Sequence, residues 1–301
     1  MRAHALTPKS RVEFRKPHSN TSAAPGGPFA AWAAFVGLTA RTTVPAGLRK
    51  PAYRAFARAV GADLGEAELP LAAYETFGEL FARKLRPGLR PVESDASAVI
   101  APCDGVVAAC GTASGGALIQ AKGRWYELDE LVVDHARAAA LAGGDYATIY
   151  LSPRDYHRVH APVDARLVGY DYVPGALWPV NPKIAARRDR LLSRNERVVI
   201  WLESKPLGTI AVVMVAAAGV GNIRLAHAED SVTWRAAGER RRIELDVPIA
   251  RGDELGAFRL GSTVVLAFEP GAVALAAEIG SAVRFGQRLG RQVQHDRAVA
   301  R

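Results

Sequence analysis

The tripeptide Leu260-Gly261-Ser262 interrupts an apolar run, with Ala257-Phe258-Arg259 before it and Thr263-Val264-Val265-Leu266-Ala267-Phe268 after it. The β-branched and aromatic content of that run predicts a strand over 258–268. Glycine weakens a strand interior and marks a bend, a bulge or a close backbone approach. A serine directly after such a glycine would sit under strain beside the Gly261 carbonyl, where its hydroxyl can attack the chain's own backbone. The hydroxyl is a weak nucleophile until a base takes its proton. Asp104, His157 and His160, far upstream, are the residue types that supply a base and its support. Gly280-Ser281 is a second Gly-Ser pair, so the dipeptide alone selects no site.

Six segments occur in a fixed order along the chain. They are Phe81-Ala82-Arg83-Lys84-Leu85-Arg86-Pro87-Gly88-Leu89-Arg90-Pro91, Ala101-Pro102-Cys103-Asp104-Gly105 and Tyr150-Leu151-Ser152-Pro153-Arg154-Asp155-Tyr156-His157-Arg158-Val159-His160-Ala161-Pro162, then Tyr172-Val173-Pro174-Gly175, Arg194-Asn195-Glu196-Arg197-Val198 and Leu260-Gly261-Ser262-Thr263. Together they resemble the phosphatidylserine decarboxylase family, in its longer membrane-associated bacterial and mitochondrial form, over roughly residues 70–290. The segments around His157 and Ser262 are specific; the Asp-Gly and Asn-Glu-Arg-Val pieces are weak alone.

The resemblance implies a sequence of steps. Ser262 Oγ attacks the Gly261 carbonyl with His160 as base, supported by Asp104, and the amide becomes an ester. Elimination then releases a chain ending at Gly261, and residue 262 becomes a pyruvoyl group, the covalent cofactor. That carbonyl would form a Schiff base with the amine of phosphatidylserine and act as an electron sink. His157 is the expected proton donor to carbon. The i,i+3 spacing of His157 and His160 is expected to set both on one side of a helical turn, with Ser152 as cap and Pro153 at its first position.

Each residue also has an ordinary reading. An isolated His pair is most often structural, and Asp104-Gly105 alone is most often a turn. Arg154 and Arg158 are candidates for the substrate phosphate, although surface arginines are commoner. His227 beside Glu229 and Asp230 reads as a solvated loop rather than a metal site, His295 carries no role, and Cys103 and Cys110 read as buried strand residues. No metal is expected.

The elements that must position these residues follow from pattern. Helical spacing begins at Pro51 and recurs from Pro70 through Leu71, Tyr74, Phe77, Gly78 and Phe81, ending at Pro87. Strands are expected at 99–110, 118–126, 147–151, 197–202, 209–216, 243–247 and 258–268, with one helix over 128–141 closed by Gly143 and Gly144. This predicts an α+β fold: a β-rich central domain with N-terminal helices, self-cleaved into two chains. Residues 47–301 form the catalytic domain, as 47–261 and 262–301 after cleavage.

At 301 residues, 49% apolar and 23% charged, the chain can bury a full core. Two cysteines exclude a disulfide scaffold and fit a reducing cytoplasm. The net charge of +9 is concentrated in residues 1–50, where eight basic side chains face Glu13 alone. Residues 1–28 are broken by four prolines and read as disordered. Residues 29–40 are mainly apolar, with Trp32 and Phe35 suited to a lipid interface, but are too few for the roughly 20 residues that span a bilayer. The expectation is a basic arm over 1–46 that rests on anionic lipid at the cytoplasmic face of the membrane. Nucleic acid is not an expected partner, since no recognition motif follows the arm. The expected partners are phosphatidylserine, the membrane and the chain's own second fragment, with a higher homo-oligomer left open. Two rivals remain: a serine hydrolase on Asp104, His160 and Ser262, which lacks a Gly-x-Ser-x-Gly elbow, and a non-enzymatic β-rich carrier, which leaves both histidines unexplained.

Overall fold

The computed structural model describes residues 42–121, 124–217, 223–228, 231, 234–259 and 261–293. In chain order the strands are β1 (Ala98–Ile100), β2 (Gly105–Thr112), β3 (Ala117–Ala121), β4 (Arg124–Glu127), β5 (Asp145–Leu151), β6 (Arg158–His160), β7 (Ala165–Val173), β8 (Arg197–Ser204), β9 (Gly208–Ala216), β10 (Ile223–Leu225), β11 (Arg241–Ile249), β12 (Glu254–Phe258), β13 (Ser262–Phe268), β14 (Val273–Leu275), β15 (Ala282–Val283) and β16 (Arg288–Gln292). Eight of them form one antiparallel sheet in the order β11-β7-β8-β9-β13-β5-β2-β15.

β13 lies between β9 and β5, with Ser262 opposite Ala216 on one side and Leu151 on the other. All seven of its residues are buried, because both faces of the sheet are covered. Alternate side chains point to opposite faces. Val264, Leu266 and Phe268 join Leu151, Met214 and Phe258 in one core. Val265 and Ala267 join a second core with Leu131 and Leu141, from helices Leu128–Val132 and His135–Leu141. Each fully buried aliphatic side chain such as Leu266 contributes about 1.5–3 kcal/mol. The first face also carries the small sheet β10-β12-β6, which holds the histidine segment.

The N-terminal helix Ala46–Val60 packs Tyr53 against Tyr74 and Leu80, and the Tyr53 hydroxyl donates to the Tyr74 carbonyl at 2.9 Å. Thr43 bridges to Thr76, and Val44 N–H donates to the Glu75 carbonyl at 2.8 Å. Residues 43–46 are thus docked to the helical unit. The segment with Trp32 and Phe35, together with His295, Leu260, Glu229 and Asp230, lies outside the described residues.

The architecture is the expected β-rich centre with N-terminal helices, but several boundaries differ. The run 99–110 is two strands, because Pro102 lacks the N–H a continuing ladder needs. Cys103 consequently sits in the connecting loop, while Cys110 is in β2. Residues 118–126 form the hairpin β3–β4, and 258–268 divides between two sheets. The helix over 128–141 breaks at Val133, whose φ of 54° ends one helix before Asp134 caps the next through the Arg137 N–H. The helix expected from Pro70 is two short pieces, Leu71–Ala73 and Phe77–Phe81, the second capped by Thr76. β7 was not expected at all: Arg166, Gly169 and Asp171 break its apolar alternation. Asp171 is buried there because it accepts from Trp201 Nε1 and Arg242 Nε, both at 2.7 Å.

Candidate active site

Residues 152–157 leave β5 through a turn closed by side chain and backbone. The Asp155 carboxylate accepts from Ser152 N–H and Oγ–H, each at 2.7 Å, and Asp155 N–H donates back to the Ser152 carbonyl at 2.9 Å. This turn replaces the expected helical one. His157 follows it in extended chain, its carbonyl accepting from Phe258 N–H at 2.9 Å, and His160 ends β6. The Ser152 hydroxyl is committed as a donor to Asp155 and accepts from no backbone N–H of the turn, as a helix cap would.

The two histidines are built alike and finished differently. His157 Nδ1 lies 2.8 Å from the Asp155 carbonyl and His160 Nδ1 lies 2.8 Å from the Gly252 carbonyl. A carbonyl only accepts, so each ring carries its proton on Nδ1 and a lone pair on Nε2. Burial pushes both pKa values down to about 4, against the opposing pull of those carbonyls, so both rings are neutral at pH 7. His160 Nε2 accepts from the Tyr156 hydroxyl at 3.0 Å. His157 Nε2 is buried with no partner, and so is Ser262 Oγ. Unpaired buried polar atoms cost about 1–3 kcal/mol each and call for an explanation.

Asp104 does not bond to His160. Its carboxylate accepts from Arg90 Nη2 at 2.7 Å and from Phe285 N–H at 2.9 Å, and Arg90 Nη2 also holds Glu66 at 2.9 Å. The Phe285 ring stacks on His160 with centroids 3.7 Å apart. Asp104 therefore supports His160 through Phe285, and the Gly252 carbonyl sets the ring's direction. Arg90, Tyr156 and Phe285 were not singled out by sequence reasoning. Arg90 and Tyr156 lie within the segments 81–91 and 150–162, whereas nothing in the sequence pointed to Phe285.

Gly261 departs from expectation. A Cβ added there would meet nothing among the described residues within 4 Å. Close approach among the described residues does not explain the glycine.

The motif arginines separate. Arg158 is buried, donating to the Ala82 carbonyl at 2.9 Å and pairing with Glu254. Arg83 is buried as well. Arg154 is 58% exposed, its nearest carboxylate Asp155 at 3.7 Å. Asn195 is fully buried and ties the Trp178 carbonyl (2.8 Å) to the Ala216 carbonyl (2.9 Å), bracing the residue opposite Ser262. His227 is exposed at a turn. Among the described residues there is no cluster of three metal-ligating side chains.

Comparison with known proteins places the chain in context. The family profile described as phosphatidylserine decarboxylase matches residues 77–291. The chain is 46% identical over 261 residues to the phosphatidylserine decarboxylase proenzyme of Anaeromyxobacter sp. (strain K), covering 85% of this chain and 92% of that one. It is 42% identical over 265 residues to the proenzyme of Myxococcus xanthus, covering 87% and 94%.

Proposed function

The chain belongs to the phosphatidylserine decarboxylase family, whose reaction yields phosphatidylethanolamine and carbon dioxide, and we propose that Ser262 is the residue on which this protein's reaction is built. In the family a pyruvoyl group made from a serine supplies the carbonyl that takes up the substrate amine and accepts the electron pair left when carbon dioxide departs. The observation that carries the assignment is the unpaired, fully buried Ser262 Oγ at the head of the central strand. A hydroxyl kept without a partner in a packed interior is free to turn on the preceding carbonyl.

Ser262 Oγ attacks the Gly261 carbonyl, giving its proton to a neutral imidazole. The acyl group passes from nitrogen to oxygen, and elimination then frees the Gly261 carboxylate. His160 is the base for this step: its Nε2 lone pair, engaged at rest by the Tyr156 hydroxyl, is freed when that hydroxyl turns away, and the Arg90–Asp104–Phe285 chain steadies the ring. The Tyr156 hydroxyl, its pKa raised by burial, stays protonated and can follow the imidazole's change of charge. His157 serves the later step. Its bare Nε2 is neutral in the resting protein, and the arrival of an anionic lipid favours the imidazolium, which then returns a proton to carbon.

The two products remain one molecule, because β13 is paired on both sides within the central sheet and β15 and β16 pair with β2 and β1. Among the described residues no helix is long and apolar enough to cross a membrane. Peripheral attachment at an anionic membrane surface through the basic N-terminal segment is the reading its charge supports.

Intact mass tests the assignment. Two species, residues 1–261 and 262–301, are expected, the smaller blocked to Edman chemistry. Ser262→Ala stays full length. Cleavage at Gly280-Ser281 would overturn the reading.

A further inference from the structure

An open cavity of about 560 Å³ lies on the second face of the central sheet, beside the scissile end of β13. Its floor is Thr263, Thr148, Tyr150 and Val106, and its rim includes Ile279 and Arg154. The volume is within the range of small-ligand sites, and the lining is mostly apolar. It is distinct from the histidine array, since Ser262 and Thr263 point to opposite faces of β13. One peptide nevertheless joins them. Register carries Leu151 opposite Ser262, so Ser152, which also lines the cavity, follows the residue facing the cleavage point. A group carried on residue 262 at the free end of β13 would stand at the cavity's edge.

We propose that this cavity receives an acyl chain of the phospholipid substrate, with Arg154 at its rim holding the phosphodiester. The proposal rests on the reading of Ser262 given above and assigns the substrate's two remaining parts. Three observations select this occupant. An apolar trough with, among the described residues, one cationic group at its mouth matches a lipid chain leading to a phosphate. The arginines compared above leave only Arg154 available, because Arg158 is committed to Glu254 and Arg83 is buried. Ile279, 67% exposed at the mouth, extends the apolar surface outward, toward where a membrane would supply the chain.

The binding test uses full-length Ser262→Ala protein, so that its outcome does not depend on processing. Vesicles containing phosphatidylserine with a photoreactive diazirine in one acyl chain are irradiated with the protein, and labelled peptides are mapped. Label concentrated in 103–110, 145–154 and 278–284 is expected, and Ala108→Phe, which fills the trough, should reduce it several-fold. Label confined to residues 1–41, or spread over the surface, would overturn the proposal by giving the cavity another occupant. A kinetic test uses processed enzyme, whose cleavage also reports that each variant folds. Ala108→Phe should lower the ratio of kcat/KM for long-chain over dihexanoyl phosphatidylserine about tenfold, the scale of roughly two buried methylenes. Arg154→Gln should raise KM for both substrates alike, with Arg154→Lys restoring part of the loss. An unchanged chain-length ratio in Ala108→Phe would refute the acyl site, and unchanged KM values in Arg154→Gln would refute the phosphate contact. If the wild-type chain were not cleaved at Ser262, the active-site reading would fail while the labelling result still judged the cavity.

Discussion

Two buried histidines held neutral make the interior around them sensitive to acid. Their folded pKa values of about 4 lie below the ordinary 6.5, so the unfolded chain binds more protons between those limits. Stability is therefore full above pH 6.5 and falls as pH drops toward 4, by about 3 kcal/mol for each histidine. Urea melts from pH 7.5 to 4.5 should display that decline, and His157→Gln should flatten it; an equal slope in the variant would remove His157 as a source. The roles proposed for the two rings can be separated by mutation. His160→Ala and Asp104→Asn should impair self-cleavage, read on denaturing gels. His157→Ala should cleave yet turn over poorly, and wild-type turnover in that variant would end its assignment as proton donor. Gly261→Ala should fold and express like wild type, because open space surrounds the added methyl.

At the scale of elements, the strand that begins at Ser262 is braced from outside. Asn195 bonds Ala216, which pairs with Ser262, so the side chain of one loop residue fixes the end of β9 against β13. Asn195→Ala leaves the Ala216 and Trp178 carbonyls without that donor and should cost about 1–3 kcal/mol. The measurable outcome is a lowered Tm together with slower cleavage of newly made protein. If Tm fell and cleavage kept its wild-type rate, the brace would be structural only. The helical unit is tied to the β domain by the Glu66–Arg90–Asp104 cluster. Arg90→Met should destabilise by about 3–5 kcal/mol, since two acids lose a buried partner.

For the whole molecule, the proposed cleavage would cut the covalent chain at the head of β13 without cutting the largest sheet. The products should copurify through native chromatography and separate only in denaturant; separation in native buffer would contradict the pairing of β13. The basic N-terminal segment belongs to this scale as well. Residues 43–46 are docked against the helical unit, so a clean deletion ends at residue 41. That deletion should weaken co-sedimentation with anionic vesicles in low salt, at roughly 1 kcal/mol per lost basic contact, and leave self-cleavage intact. Equal binding by both forms across a salt series would move the anchor elsewhere, with Ile279 at the cavity mouth the next residue to alter.

Residue types and local order singled out Ser262, His157, His160 and Asp104 as candidates, because the proposed chemistry demands those side chains within short, recognisable segments. The buried strands β5, β8, β9 and β13 were legible for a related reason: continuous burial on both faces selects unbroken apolar runs. β7 was not, because its buried Asp171 is balanced by Trp201 and Arg242, partners distant in sequence. Nor did the sequence disclose that Asp104 reaches His160 through Phe285, which lies 181 residues beyond Asp104. The tautomers and depressed pKa values of the histidines depend on carbonyls and burial that exist only once β6 is packed between β12 and the core. Local pattern specifies which groups are available. Only long-range packing decides what each one faces, and a hydrogen bond or a desolvated proton is set by the facing atom.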